Sequence, residues 1–77
     1  MVVEGQILEV RKKLALRIRV LRKKRGWTQQ DLADRADIAM RHIQRLESKR
    51  PSAIELDSIV KLSRAFKISI SDFLSLD

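Results

Sequence analysis

The sequence predicts an all-α fold, a compact bundle of five helices whose first helix is extended at its N-terminal end. Three observations support this prediction. The 77 residues include only two Gly and one Pro, a composition that favours helices. Apolar residues recur at spacings of three and four, as they do on one face of a helix. In three places a Ser or Thr stands three residues before an Asp or Glu, which is typical of a helix start.

The charge of the chain is positive and unevenly distributed. A chain of this length is expected to form one domain, residues 1–77. Its formal net charge is +7. Residues 1–50 hold 14 basic and 6 acidic side chains, whereas residues 51–77 hold 3 basic and 4 acidic ones. This excess in the first part indicates a polyanionic partner. The alternative is a basic surface with no specific ligand.

Several classes of function lack support in the sequence. There is no Cys and only one His, so we expect no disulfide, metal or other cofactor. No nucleophile, base and orienting group occur together, so we expect no enzyme activity. No apolar run approaches the ~20 residues that span a bilayer, and the N-terminus does not resemble a signal peptide. We therefore expect a cytoplasmic protein with no membrane partner.

The first helix is predicted over residues 6–25, after an end at residues 1–5 that we expect to be frayed. Its buried stripe comprises Val10, Leu14, Ile18 and Leu21. Leu16 and Val20 form a second apolar strip. This strip would be covered by the N-terminal segment or by another subunit, or it is simply a pair of exposed residues. Gly26 ends the helix. We expect Trp27 to pack between the first two helices, and base stacking is the alternative.

Residues 28–47 are predicted to form two short helices joined by a tight turn. Thr28 and Asp31 form a capping box at the first start. Asp37 lies at the bend, because Asp tolerates the left-handed conformation. The predicted inner residues are Leu32, Ala33, Ala36, Ile38, Ile43 and Leu46. The second helix, residues 39–47, directs Met40, Arg41, Gln44 and Arg45 outward, an arrangement suited to a DNA groove.

Two further helices complete the prediction. Ser52 and Glu55 are expected to start the fourth helix, with Asp57 as an alternative start, and the helix extends to about Phe66. Its predicted inner face comprises Leu56, Ile59, Leu62 and Phe66. Ser69 and Asp72 start the last helix. This helix offers Phe73, Leu74 and Leu76 as apolar contacts.

Three segments together carry a resemblance to a known family: LRIRVLRKKRGWTQQDLA, ADIAMRHIQRLE and IVKLSRAFKISISDFL. In this order the chain resembles the phage repressor and Cro family (xenobiotic-response-element type) from about Leu14 to Leu76. That family has a lambda repressor-like bundle of five helices that contains a helix-turn-helix. Here the helix-turn-helix corresponds to residues 28–47. The resemblance implies a transcriptional regulator that binds specific sequences of double-stranded DNA.

The family's DNA contacts can be carried over by position. The resemblance implies that the helix at residues 39–47 enters the major groove and contacts base edges through Met40, Arg41, Gln44 and Arg45. Phosphate contacts would come from Thr28, Gln29, Ala39, His42, Lys49 and Arg50. For His42 the alternative is a solvated helix residue. The family also pairs an Arg in the first helix with a Glu after the second helix of the motif, which here implies a structural ion pair of Arg22 with Glu47.

Two positions depart from the family pattern. Asp37 replaces the usual Gly at the turn, so some strain is expected there. Ala39 replaces a Ser or Thr cap, which forfeits roughly 0.5–2 kcal/mol of capping and a phosphate contact.

Family members usually bind inverted repeats as two-fold dimers, so we expect a homodimer on a palindromic operator, with half-sites about 34–36 Å apart. The candidates for the interface lie on the fourth and fifth helices and just before them: Ile54, Ile70, Phe73 and Leu76. Alternatively, they complete the core of the monomer.

Other functions remain open at this stage. A phage repressor, a restriction-modification controller and an antitoxin would share this pattern. The alternative of another class is a protein-interaction module, or an antitoxin-like partner protein, with the same fold and little DNA specificity. An RNA-binding function is less well supported, because the chain lacks an aromatic platform.

Overall fold

The computed structural model describes residues 3–76, which form five α-helices and no strand. In chain order the helices are α1 (Val3–Lys24), α2 (Gln29–Ala36), α3 (Met40–Leu46), α4 (Leu56–Phe66) and α5 (Ile70–Phe73). The predicted all-α class is therefore confirmed, as is the helix-turn-helix formed by α2 and α3.

Helix α1 is longer than the sequence predicted. It begins at Val3, so residues 3–5, which we expected to be frayed, are helical. Residues 1 and 2 of that expected end lie outside the described residues. The stripe of Leu14, Ile18 and Leu21 is buried as predicted. The prediction that Val10 extends this buried stripe was wrong: Val10 is exposed, because it lies one helical turn before the packed body of the protein begins.

Helix α2 starts with the predicted capping box. The Thr28 hydroxyl accepts a hydrogen bond from the backbone N–H of Asp31 (3.0 Å), and the Thr28 backbone N–H donates to the Asp31 carboxylate (2.8 Å). The backbone N–H of Thr28 is also the main reason that the pKa of Asp31 lies below its ordinary value, and the Thr28 hydroxyl adds to this effect. Both interactions favour the charged carboxylate, so the box is formed by ionised Asp31.

The turn between α2 and α3 depends on Asp37. Its backbone is left-handed, with φ 57° and ψ 48°, as the sequence predicted. Its N–H donates to the Ala33 carbonyl at the end of α2. Its own carbonyl accepts a hydrogen bond from the Lys61 ammonium of α4 (3.3 Å). At the start of α3, Ala39 provides no side-chain cap, so the direction of this helix is set by packing and by contacts at its other end.

The start of α4 differs from the prediction. The helix begins at Leu56, with Glu55 at the capping position and no side-chain hydrogen bond. Ser52, the predicted cap, precedes the helix, and its buried hydroxyl has no hydrogen-bond partner. Leu56 was predicted on the inner face but is 70% exposed, because it occupies the first turn on the solvent side. Of the predicted inner face, Leu62 and Phe66 are buried and Ile59 is partly buried.

Helix α4 ends at Phe66 and is followed by Lys67, whose backbone is left-handed (φ 58°). This feature was not predicted, because Lys gives no sequence signal for it. Ser69 then caps α5 by accepting a hydrogen bond from the Asp72 N–H (3.0 Å). Phe73 is fully buried. It was a candidate for a dimer interface, and this part of the prediction needs correction, since Phe73 has no surface to offer a second chain.

One apolar core joins all five helices. The buried residues around which it forms are Leu14, Ile18, Leu21, Leu32, Ala33, Ala36, Ile38, Ile43, Leu46, Leu62, Phe66 and Phe73. Trp27 lies at the edge of this core, partly buried, rather than only between the first two helices. Its ring stacks on Phe66 of α4 with centroids 5.8 Å apart. The Arg35 guanidinium lies 4.5 Å from the Trp27 ring centroid.

A buried ion pair ties α3 to α1. Glu47, which follows α3, has a side chain that is only 1% exposed, and its carboxylate accepts two hydrogen bonds from the Arg22 guanidinium, each 2.9 Å long. Arg22 also donates to the Trp27 carbonyl (2.8 Å) and is 11% exposed. The Arg19 guanidinium donates to the Glu47 backbone carbonyl (2.8 Å). The end of α3 is therefore fixed by charge-assisted hydrogen bonds from two turns of α1.

We expect Glu47→Ala to lower the free energy of unfolding by about 3–5 kcal/mol, because it leaves the Arg22 charge buried without its partner. Chemical denaturation at neutral pH measures this loss. The double variant Arg22→Met with Glu47→Leu removes both charges. Its loss of unfolding free energy should be clearly smaller than the sum of the losses in the single variants Arg22→Met and Glu47→Leu. Additive losses would show that the two side chains do not act as a pair.

Candidate nucleic-acid interface

The outward face of α3 consists of three polar side chains. Arg41, Gln44 and Arg45 are all exposed and lie at spacings of three and one, on the side opposite the buried Ile43 and Leu46. Within residues 3–76 none of the three side chains forms an intramolecular hydrogen bond or salt bridge. The hydrogen-bonding groups of these exposed side chains are thus available to a ligand.

Met40 occupies a different position from the other three candidates for base contact. It is partly buried and packs against the core cluster. Only part of its side chain is therefore available outside the protein, and what it offers is apolar contact. The geometry brings Arg41, Gln44 and Arg45 together as one polar face and places Met40 at its edge, in the first turn of α3.

The candidates for phosphate contact at the start of α2 have intramolecular roles as well. Thr28 is exposed and forms the capping box. The Gln29 amide donates a weak, 3.4 Å hydrogen bond to the Glu47 carboxylate and is partly buried. Gln29 therefore connects the start of α2 to the ion pair that holds the end of α3.

The other phosphate candidates lie on both sides of α3. Ala39 is exposed just before the helix, and His42 is partly buried within it. Lys49 and Arg50 are exposed in the loop that follows α3. Arg50 also lines a groove beside the N-terminal half of α1. The cations of this loop thus flank the polar face of α3 at its C-terminal end.

A basic cleft next to this loop was not predicted from the sequence. It has a volume of about 390 Å³ and is lined by Lys12 and Arg19 of α1 and by Lys49 of the loop. Arg19 is half-exposed even though it donates to the Glu47 carbonyl. A sequence signal for it is the seven-residue spacing of Lys12 and Arg19, which places both cations on one side of a helix.

The electrostatics of this surface favour an anion. From residue 38 to residue 54 the only carboxylate is that of Glu47, which is buried and paired with Arg22. The same segment contains Arg41, Arg45, Lys49 and Arg50. With its one acid neutralised inside the protein, the surface formed by α3 and its following loop presents positive charge, which attracts polyanions over several ångströms.

Residues 3–76 contain no cluster of three acidic or His side chains that could hold a metal ion. In the same range, no helix has both the length and the apolar character needed to cross a membrane.

Comparison with known proteins places this geometry in a family. Residues 18–73 match the helix-turn-helix family. Among solved structures, the chain is similar to the crystal structure of the hypothetical transcription factor NHTF from Neisseria, with a TM-score of 0.77 and 29% sequence identity. The similarity covers 84% of this chain and 72% of that one. No curated protein matches the chain. The matched segment covers most of the sequence, including both helices of the motif and the ion pair, and the chain therefore belongs to the helix-turn-helix family of DNA-binding proteins.

Proposed function

We propose that the chain is a sequence-specific regulator of transcription that inserts α3 into the major groove of double-stranded DNA. The observation that carries this proposal is the outward face of α3. Two Arg and one Gln are exposed there without a hydrogen-bond or salt-bridge partner among residues 3–76, on a helix whose opposite side packs into the core. The neighbouring structure from Neisseria, described as a hypothetical transcription factor, supports the same function.

Each side chain of this face suits a particular base edge. The guanidinium groups of Arg41 and Arg45 can each donate two hydrogen bonds to O6 and N7 of guanine. The Gln44 amide can donate to N7 and accept from N6 of adenine. Met40, partly buried at the edge, can offer apolar contact to a thymine methyl group. The face therefore favours an operator half-site that contains guanines next to an adenine.

Phosphate contacts would hold α3 in register. We propose that Thr28 and Gln29 contact one side of the groove and that Lys49 and Arg50 contact the other, with smaller contributions from His42 and the backbone at Ala39. Along the chain these residues lie at the start of α2, immediately before α3, within α3 and in the loop after it. Contacts of this type fix the orientation of a protein on DNA but carry no sequence information themselves.

One α3 helix spans only a few base pairs, so we propose that two copies bind an inverted repeat with half-sites about 34–36 Å apart. Of the residues considered for the dimer interface from the sequence, Phe73 is buried and Ile54 and Leu76 are partly buried against the core. Only Ile70 is clearly exposed. The other exposed large apolar side chains of this region, Leu56 and Leu74, were not among the candidates.

The proposed function is tested by selecting binding sites from a pool of random DNA duplexes. We expect enrichment of one sequence arranged as an inverted repeat. A pool that stays random after several rounds, from protein that is folded, would contradict sequence-specific binding and favour a protein-interaction module with this fold.

We expect Arg41→Ala and Arg45→Ala each to weaken binding to the selected operator by about 1–3 kcal/mol and to relax the base preference at one position. Binding to random DNA should change much less. Titrations on both duplexes measure the difference. An equal loss on operator and random DNA would mean that these side chains contact phosphates instead.

Lys49→Ala is the matched control, because it removes an exposed cation beside α3 rather than on it. It should weaken operator and random DNA alike. The slope of log K against log salt should become shallower by about 0.9, the value for one lost phosphate contact. A change of base preference in this variant would contradict its assignment.

A further inference from the structure

The first three turns of α1 carry an apolar stripe that is left exposed by the other residues of the range 3–76. Val3, Ile7 and Val10 are 53%, 44% and 53% exposed. They are spaced by four and three residues, and the next position in this pattern is the buried Leu14. The stripe is thus the direct continuation of the face by which α1 packs into the core.

This part of α1 receives little support from the rest of the chain. From residue 3 to residue 13 no residue is buried, and only Leu8 and Arg11 are partly buried. These turns extend a helix that is already anchored in the core from Leu14 onward, so they need no new nucleation, but they have little tertiary packing of their own. A partner that covers the apolar stripe would supply this missing burial.

The stripe lies between two open grooves. One has a volume of about 580 Å³, and its far wall is the loop at Arg50, Pro51 and Ser52. The other has a volume of about 400 Å³ and extends to Ala53 and Ile54. Ile7 and Arg11 line both grooves. The surface around the stripe is therefore concave and can accept a second helix along α1.

We propose that this helix is α1 of a second copy of the chain, packed antiparallel to the first about a two-fold axis. The four-three spacing corresponds to the a and d positions of a heptad, with Ile7 at a and with Val3 and Val10 at d. Antiparallel packing pairs a with d, which places Ile7 of each copy against Val10 of the other. The two copies then cover each other's stripe with the same surface, as a two-fold interface requires.

Charge selects the antiparallel direction. Glu4 and Arg11 are two helical turns apart, so both flank the stripe on the same side, and neither forms a salt bridge within residues 3–76. Antiparallel packing brings Glu4 of each copy next to Arg11 of the other, giving two opposite-charge pairs. In a parallel pair Arg11 would face Gln6 and Glu4 would face no cation, so that arrangement lacks this complementarity.

This inference rests on the proposed function in one respect only, since it names the surface that forms the two-fold dimer. It concerns the free protein, and its test contains no DNA. Monomeric protein that still selects a specific DNA sequence would overturn the interface and leave the function standing. A dimer that selects no DNA sequence would overturn the proposed function and leave the interface standing.

The test begins with the mass of the full chain in solution, measured by sedimentation equilibrium over a range of concentrations. The wild-type chain should dimerise. Ile7→Ser with Val10→Ser should raise the dimer dissociation constant by more than about tenfold, because these residues would lose their buried apolar surface. Leu16→Ser with Val20→Ser is the matched control, since both are exposed on α1 but outside the stripe, and it should leave the mass unchanged. Far-UV circular dichroism and thermal unfolding verify that both variants keep the folded body.

Charge reversal tests the direction of packing. Glu4→Arg and Arg11→Glu should each weaken the dimer, because each places like charges together, and combining them should restore it. A wild-type monomer at all concentrations, or a dimer sensitive only to Leu16 and Val20, would overturn the proposed surface. Failure of the double reversal to restore the dimer would overturn the antiparallel arrangement.

Discussion

The structure depends on the neutralisation of one carboxylate, that of Glu47. A buried carboxylate is costly unless it is paired and hydrogen-bonded. Here Arg22 of α1 donates to both of its oxygens, and the Gln29 amide of α2 lies 3.4 Å from one of them. Because Glu47 directly follows α3, this single group connects α1, the start of α2 and the end of α3. The orientation of α3 relative to the other helices is therefore fixed by electrostatic interactions as well as by packing.

In the short helix α3, the residues that anchor the helix are different from those that face outward. Helix α3 has only seven residues and, with Ala39 before it, lacks a side-chain cap, so it has little stability of its own. Ile43 and Leu46 hold one side in the core, and the residue after the helix holds its end. The exposed side chains of Arg41 and Arg45 form no hydrogen bond or salt bridge within residues 3–76. Such separation should let the outward residues change without loss of the fold.

Much of this arrangement could be predicted from the sequence, where the signal is local or shared with the family. The Thr28 box, the left-handed Asp37 and the buried α1 stripe follow from spacing and residue type. The start of α4 could not be predicted in this way. Ser52 and Glu55 match the capping pattern, yet Ser52 is held in the loop with its hydroxyl buried, and the helix begins only at Leu56. Phe73 shows a second limit: periodicity identifies an apolar face but does not say whether the same chain or another covers it.

We propose that the Arg22–Glu47 pair sets the orientation in which α3 meets DNA. The most direct test is the affinity of the Arg22→Met, Glu47→Leu double variant for the operator selected by the wild-type protein. The measurement is made at a temperature where circular dichroism shows the variant folded. We predict that operator affinity falls by at least about tenfold, whereas binding to random DNA, which tolerates a reoriented helix, falls less. A folded variant with wild-type operator affinity would contradict the account.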